Sequence, residues 1–131
     1  MANSNDDFNN GNNPYYLHQF DNPGMSMVTQ PLTNDNYNSW KRSMAMPLSA
    51  KNKLDFVDGS ITAHAVTDQV RYRFWKRANN LVNSWLLNSI SKDIAASLIF
   101  HSCAADIWKD FEDRFQQNNA PRVFHLKKKI T

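Results

Sequence analysis

The feature that most constrains this chain is an uninterrupted helical pattern across residues 67–89. Apolar residues recur there at spacings of three and four, and neither Gly nor Pro interrupts them. One set forms a stripe and a second set widens it; the sets are Val70, Phe74, Leu81 and Trp85, and Tyr72, Trp75, Val82 and Leu86. An apolar face of this width predicts a central helix that packs on more than one side.

Shorter helical patterns flank this run on both sides. Before it, the segment 36–53 has one apolar face, residues 33–35 offer N-cap candidates, and Pro47 predicts a kink or an early stop. After it, Ser91 and Ser102 are candidate caps for two further helices. The apolar positions of these segments are Tyr37, Trp40, Met44 and Leu48; Ile94, Leu98 and Ile99; and Ala104, Ile107, Trp108, Phe111 and Phe115.

A last, incomplete helix is predicted near the end of the sequence from the spacing of Val123, Leu126 and Ile130.

These patterns predict an all-α fold, a small bundle of four to five helices with an extended amino-terminal arm. Residues 1–13 contain six Asn and read as a disordered leader, because they cannot bury enough surface to become ordered. The remaining chain, 14–131, divides into an extended arm at 14–33, with one short strand near 27–30, a helical core at 34–116 and a basic tail at 117–131. The predicted core is drawn from Trp40, Met44, Phe74, Leu81, Trp85, Leu98, Ile107 and Phe111.

The charge of the chain is unevenly distributed along its 131 residues. The formal net charge is +3, but residues 1–113 hold ten Lys/Arg against all twelve Asp/Glu, whereas residues 114–131 hold five cations and no acid. No apolar run approaches the roughly 20 residues that span a bilayer, and the acidic, Asn-rich start does not resemble a signal peptide. The lone Cys103 fits a reducing compartment, so we expect a cytoplasmic protein, with the nucleus as the alternative.

Several linked motifs, in order along the chain, identify a family resemblance. They are NPYYLH at 13–18, DNPG at 21–24, QPLT at 30–33, NYNSW at 36–40, LSAKNKL at 48–54, FVDG at 56–59, WLLNSI at 85–90, IW at 107–108, RF at 114–115 and NNAPR at 118–122. Together they resemble the amino-terminal Gag region of plant Copia-type retrotransposons. The resemblance covers about residues 13–131.

The resemblance implies a capsid-like helical module that associates with copies of itself into a particle packaging RNA. Pro47 departs from the family pattern, which continues the helix with a residue such as Ala, and the Cys/His-rich zinc knuckle of many Gag proteins does not occur in the sequence. We therefore expect a Gag fragment or a truncated, Gag-derived reading frame. A Gag-derived protein-interaction domain that a host has reused is an alternative.

Five aromatic residues stand out within the family motifs: Tyr37, Trp40, Trp85, Trp108 and Phe115. They can act as core anchors or as contacts in an assembly surface. Tyr37 and Trp40 lie three residues apart on one helix face, which favours the core, because Trp and Tyr supply large apolar areas to a small domain. A self-association surface or a peptide-binding groove is the alternative for this pair.

The sequence offers no convincing catalytic or metal site. Cys103 lies two residues from His101, a spacing at which helical side chains do not face each other, and no acidic partner is evident. The histidines, His18, His64, His101 and His125, are scattered. We expect no enzyme activity, no cofactor, no metal, no membrane contact and no small-molecule substrate.

The basic tail supports a second function, which is nucleic-acid binding. Arg122 and the run Lys127, Lys128 and Lys129 could contact phosphates, and Phe124 and His125 lie between them and could stack on bases. The same lysines would also suit the solvated face of an amphipathic helix. The expected partners are therefore further copies of the chain and RNA, the latter bound weakly and in a salt-sensitive way.

Overall fold

The computed structural model describes residues 10–63, 67–98, 100–101 and 103–116. Its helices are α1 (Tyr37–Ala50), a short 3-10 helix (Leu54–Phe56), α2 (Gln69–Asn88), α3 (Lys92–Leu98) and α4 (Ala104–Phe111), which continues as a π-helical turn (Glu112–Gln116). Across these ranges there are four α-helices and no strand, so the predicted all-α class is confirmed. The predicted fifth helix lies outside the described residues.

Helix α1 follows its predicted apolar face. Its buried residues are Tyr37, Trp40, Met44 and Leu48, the four that the spacing of three and four selects. Pro47 lies inside the helix, which continues to Ala50, so Pro47 does not stop the helix where it stands. Asn36 occupies the N-cap position but does not cap the helix; its side chain accepts from the Thr33 N–H at 2.7 Å and donates to the Pro31 carbonyl at 2.9 Å. Asn36 thus fixes the junction between the arm and α1.

Helix α2 is the long central helix, but its wide apolar face is covered along only part of its length. The Asp68 side chain caps its start by accepting from the Val70 N–H at 2.8 Å. Val70 and Tyr72 are exposed, and Phe74, which the sequence assigned to the core, is only half-buried. The prediction failed for these residues because a wide apolar pattern does not show which of its positions become covered; Val70 and Tyr72, two residues apart, lie on different sides of the helix.

The arm (residues 14–33) lies against the helices without forming the strand predicted near 27–30. Near its end it forms a single parallel bridge between Leu32 and Ile90. The Leu32 N–H donates to the Ser89 carbonyl and the Ser91 N–H donates to the Leu32 carbonyl, both at 2.9 Å. Because this bridge pairs only residue 32, residues 27–30 have no neighbouring strand to bond with, and the predicted strand does not form. Ahead of the arm, Asn13 is buried although the sequence assigned it to the leader; residues 1–9 lie outside the described part.

Two short helices close the bundle. The Ser91 side chain accepts from the Ile94 N–H at 3.4 Å and so caps α3 as predicted, whereas Ser102, the predicted cap of α4, is not described. Cys103 holds the N-cap position of α4 without a side-chain bond. The buried Asn79 side chain of α2 instead accepts from the Ala104 N–H at 2.9 Å. Helix α4 therefore depends on α2 for one of its first amide partners.

One apolar cluster unites these elements. Its members come from the end of the arm, every helix and the π-helical turn, and the largest fully buried side chains are those of Trp40, Trp85, Phe56 and Phe111. All the predicted core residues except Phe74 belong to it. Within the described residues, no helix combines the length and apolarity that crossing a membrane requires.

Candidate assembly surface

The family-motif aromatic residues lie inside the bundle. Tyr37, Trp40, Trp85, Trp108 and Phe115 are all buried. The Trp40 ring lies 5.7 Å from that of Trp108, and the Tyr37 ring is stacked on that of Phe115 at 5.6 Å. Their apolar surfaces are therefore occupied by contacts within the chain, and any surface that contacts other molecules lies elsewhere.

The arm packs partly buried apolar side chains against the core, and it is also held by side chains that donate to its backbone carbonyl groups. The Trp85 indole Nε1–H donates to the Asn22 carbonyl at 2.8 Å, and the Asn88 amide donates to the Pro23 carbonyl at 2.7 Å. The Lys53 ammonium donates to the Tyr16 carbonyl at 2.7 Å. Periodicity alone did not predict these donors, because the pattern reports which face is apolar and not which polar atoms find partners.

Lys53 is the least expected member of this contact, since it is a lysine with only 2% of its surface exposed. Its ammonium also donates to the Lys51 carbonyl at 3.3 Å, while the Lys51 side chain forms an ion pair with Asp21 of the arm at 2.8 Å. Burial lowers the pKa of Lys53; Asp21 opposes that shift and the Lys51 charge adds to it. The LSAKNKL motif contained this residue, but no feature of the motif indicated burial of its side chain.

The candidate contact residues are apolar side chains that the described bundle leaves in solvent. The large ones are Phe20, Met46, Val70, Tyr72 and Phe100. Isolated exposed apolar residues are common in soluble proteins, so exposure alone does not define a site. Of these five, Tyr72 borders a concave region between two helices.

That concave region, here the α2–α4 groove, lies between the first half of α2 and the start of α4. It encloses about 400 Å³ and is lined by Thr62, Ala63, Tyr72, Trp75, Lys76, Asn79, Asn80, Cys103, Ala105 and Asp106. The Tyr72 and Trp75 rings stack at 5.8 Å on one wall. Trp75 is buried, yet its Nε1–H has no hydrogen-bond partner among the described residues. A buried donor without an acceptor is costly, so the Trp75 indole is under-satisfied within the described structure.

One of the residues considered for catalysis, His101, has an acidic partner that the sequence analysis did not identify. His101 Nε2 lies 3.3 Å from the Asp110 carboxylate, and Cys103 is half-buried at the start of α4. In the ranges that the structure describes, no group of three or more His, Cys, Asp or Glu residues could hold a metal ion. His64 and His125 fall outside those ranges.

The predicted nucleic-acid-binding residues also fall outside the description. Arg122, Lys127, Lys128 and Lys129 belong to the segment 117–131, of which the structure says nothing. The last described cation, Arg114, is engaged within the bundle, where it donates to the Ser97 hydroxyl at 3.1 Å and to Asp110 at 3.3 Å. Binding of RNA by the tail thus remains a prediction from the sequence.

Comparison with known proteins gives two matches. Residues 18–63, which include most of the arm, α1 and the 3-10 helix, match the family model described as Gag-polypeptide of LTR copia-type. The retrovirus-related Pol polyprotein from transposon RE1 of Arabidopsis thaliana is 29% identical over 117 residues, covering 83% of this chain and 8% of that protein. The chain therefore spans less than a tenth of this relative's length. No solved structure matches the chain significantly.

Proposed function

Because the chain carries a copia-type Gag region, as its motifs predicted, we propose that it is a structural Gag module that associates with copies of itself into particles packaging RNA. A Gag region is a structural type of protein, so the proposal includes no catalytic step. Contact between identical copies is the mechanism, and the geometry of the contact decides whether closed or helical arrays result.

The observation that supports self-association is the contrast between a closed core and an incomplete surface. The apolar cluster buries the family-motif aromatics, so the bundle does not need a partner to cover them. Tyr72 and Phe100 are nevertheless exposed, and the α2–α4 groove contains an indole donor with no partner in the described part of the chain. Apolar side chains left in solvent on a bundle whose core is already closed favour contact with another copy.

Light scattering at increasing protein concentration, without RNA, tests this function. We expect dimers or larger species that persist in about 0.5 M salt, because salt screens charged contacts strongly and apolar contacts little. A strict monomer at the highest soluble concentration would contradict self-association.

RNA binding through the tail is the second candidate function, and the four cations without an acid in residues 117–131 favour it. Replacing Lys127, Lys128 and Lys129 by Gln should abolish RNA binding while association stays intact. Wild-type RNA binding should weaken steeply with salt, because each phosphate contact releases counterions. If the wild-type chain is monomeric and binds RNA only through these lysines, the second function replaces the first.

A further inference from the structure

Phe100 is the most exposed large apolar side chain of the described residues. It lies between α3 and α4, and 94% of its surface is exposed. Its neighbour His101 is anchored, since its N–H donates to the Leu98 carbonyl at 3.0 Å and its ring pairs with Asp110. Phe100 is thus presented to solvent next to a fixed residue. A phenylalanine in this position contributes nothing to the core of its own chain, so its apolar surface is available for a partner.

The α2–α4 groove has the properties of a receiving site for such a ring. Its volume of about 400 Å³ can admit an aromatic side chain, and the Tyr72 and Trp75 rings line one wall. Trp75 is 94% buried, with only 6% of its surface exposed, and its Nε1–H has no acceptor in the described ranges. Because that nitrogen atom is itself buried, the groove offers an incoming ring the exposed surface of Tyr72 and not the indole N–H.

The groove and Phe100 lie close together along the chain. Cys103 lines the groove and is three residues from Phe100, so their Cα atoms are at most about 11 Å apart. A two-fold axis between two copies can therefore place each Phe100 in the partner's groove at once, which forms a closed dimer instead of an open chain. The groove rim also carries one cation, Lys76, and one anion, Asp106, neither of which forms an ion pair among the described residues. Opposite charges on one rim are complementary to themselves across such an axis.

We propose that the partner of the α2–α4 groove is a second copy of this chain, whose Phe100 inserts beside Tyr72 and Trp75 while the reciprocal contact forms on the other side. The proposal rests on the self-association proposed above and specifies the surface that performs it. Its elementary unit is a two-fold dimer with two equivalent aromatic contacts.

The first experiment compares two exposed phenylalanines in full-length protein. Phe100→Ser should raise the dimer dissociation constant by about 100-fold or more, because each dimer loses two inserted rings. Sedimentation equilibrium measures this constant. Phe20→Ser is the matched control: it removes an exposed ring that is 74% accessible but distant in sequence, and should leave the constant unchanged. Equal effects of the two variants would overturn the proposal, as would a Phe100→Ser protein that associates like wild type.

The second experiment uses complementation to test reciprocity. Ala105 is half-buried on the groove wall, so Ala105→Trp should fill the groove and weaken association of that variant alone. A mixture of Phe100→Ser and Ala105→Trp retains one intact ring–groove pair per mixed dimer. The mixture should therefore associate more tightly than either variant alone. A mixture no tighter than its components would overturn the two-fold arrangement, and circular dichroism of each variant checks that its helices remain.

The reactivity of the Cys103 thiol tests whether a second copy or a segment of the same chain fills the groove. Its rate of reaction with a bulky maleimide should fall as wild-type concentration rises and should stay constant for Phe100→Ser. Protection that is independent of concentration would mean that a segment of the same chain fills the groove, and would overturn the proposal. If wild type and Phe100→Ser associate equally, the proposed contact through Phe100 is wrong, but self-association of the chain stands. If wild type is monomeric, both the contact and the proposed self-association fail.

Discussion

The two halves of α2 carry similar apolar sequences but have different surroundings. In the carboxyl-terminal half, Trp85 is fully buried and its indole donates to the Asn22 carbonyl of the arm. In the amino-terminal half, Trp75 is also buried, yet its indole finds no acceptor within the described ranges and the neighbouring Tyr72 is exposed. Periodicity thus defines an apolar face, whereas the segments that dock on the face decide which polar atoms find partners and which apolar side chains stay exposed.

Of the substitutions considered, removal of the Trp85 side chain should have the largest effect on stability. Trp85→Ala should lower the free energy of unfolding by about 3–5 kcal/mol, since it leaves a cavity and removes the donor to the Asn22 carbonyl. That is a large share of a small domain's stability, so the variant should be mostly unfolded or insoluble. Urea denaturation followed by circular dichroism measures it. A variant that unfolds cooperatively with only slight destabilisation would show that this half of α2 is not the structural centre.

Replacing each indole by a phenyl ring compares the two halves directly. Trp85→Phe should cost about 1–3 kcal/mol, because the smaller ring loses packing and a satisfied hydrogen bond. Trp75→Phe should cost less than about 1 kcal/mol, because the donor that it removes has no partner among the described residues. The same denaturation experiment gives both values. Similar costs would remove the contrast on which the comparison depends.

Tyr37 provides a second case of a buried polar atom without a partner in the described structure. Burial, with a smaller effect of Glu112, raises its pKa to about 12. Between pH 10 and 12 the unfolded chain loses the phenol proton before the folded chain does, so the stability from this group is complete below pH 10 and is lost as pH rises through 12.

We therefore expect Tyr37→Phe to leave stability at pH 7 unchanged or raise it by up to about 1 kcal/mol, and to reduce the loss at alkaline pH. Melting temperatures of wild type and variant from pH 7 to 11.5 provide the measurement. The other shifted groups, Tyr15 and Lys53, are present in both proteins and contribute equally to the two profiles. Parallel alkaline profiles would contradict the assignment to Tyr37.

The smallest expected effect concerns the exposed contact between α2 and the arm. Asn88→Ala removes the donor to the Pro23 carbonyl but leaves that carbonyl accessible to water, so the cost should be about 0.5 kcal/mol. The melting temperature measures it, with Asn80→Ala as the control on an exposed position of the same helix. A cost as large as that of Trp85→Phe would show that Asn88, and not the enclosed indole, determines how the arm is held.

The sequence predicted those parts of the fold that depend on local periodicity. The four buried residues of α1 and the cap at Ser91 follow from spacing and residue type within one helix. The exposure of Val70 and Tyr72 did not follow, because a wide apolar stripe does not reveal whether both of its sides are covered. Burial of Lys53 and the bond from the Ala104 N–H to Asn79 escaped prediction because both depend on atoms brought together from distant parts of the chain.

The candidate groove was missed for a related reason. Trp75 was assigned to a core-facing stripe, and its residue type is the same as that of Trp85. Only the positions of the surrounding segments distinguish an indole with an acceptor from one without. Phe100 carried no periodic signal at all, since a single apolar residue between two helices resembles any loop residue in a sequence.

The attachment of the arm through its main chain has a consequence for how this protein can tolerate substitution. Trp85, Asn88 and Lys53 recognise carbonyl oxygens, which every amino acid possesses. At the accepting positions, Asn22, Pro23 and Tyr16, the hydrogen bonds therefore impose a path on the backbone without demanding a particular side chain. These bonds place their constraint on the three donors, so a substitution at Tyr16 preserves the acceptor for Lys53. Asn22 carries a further constraint of its own, because its side-chain oxygen accepts from the Gly24 N–H at 2.8 Å.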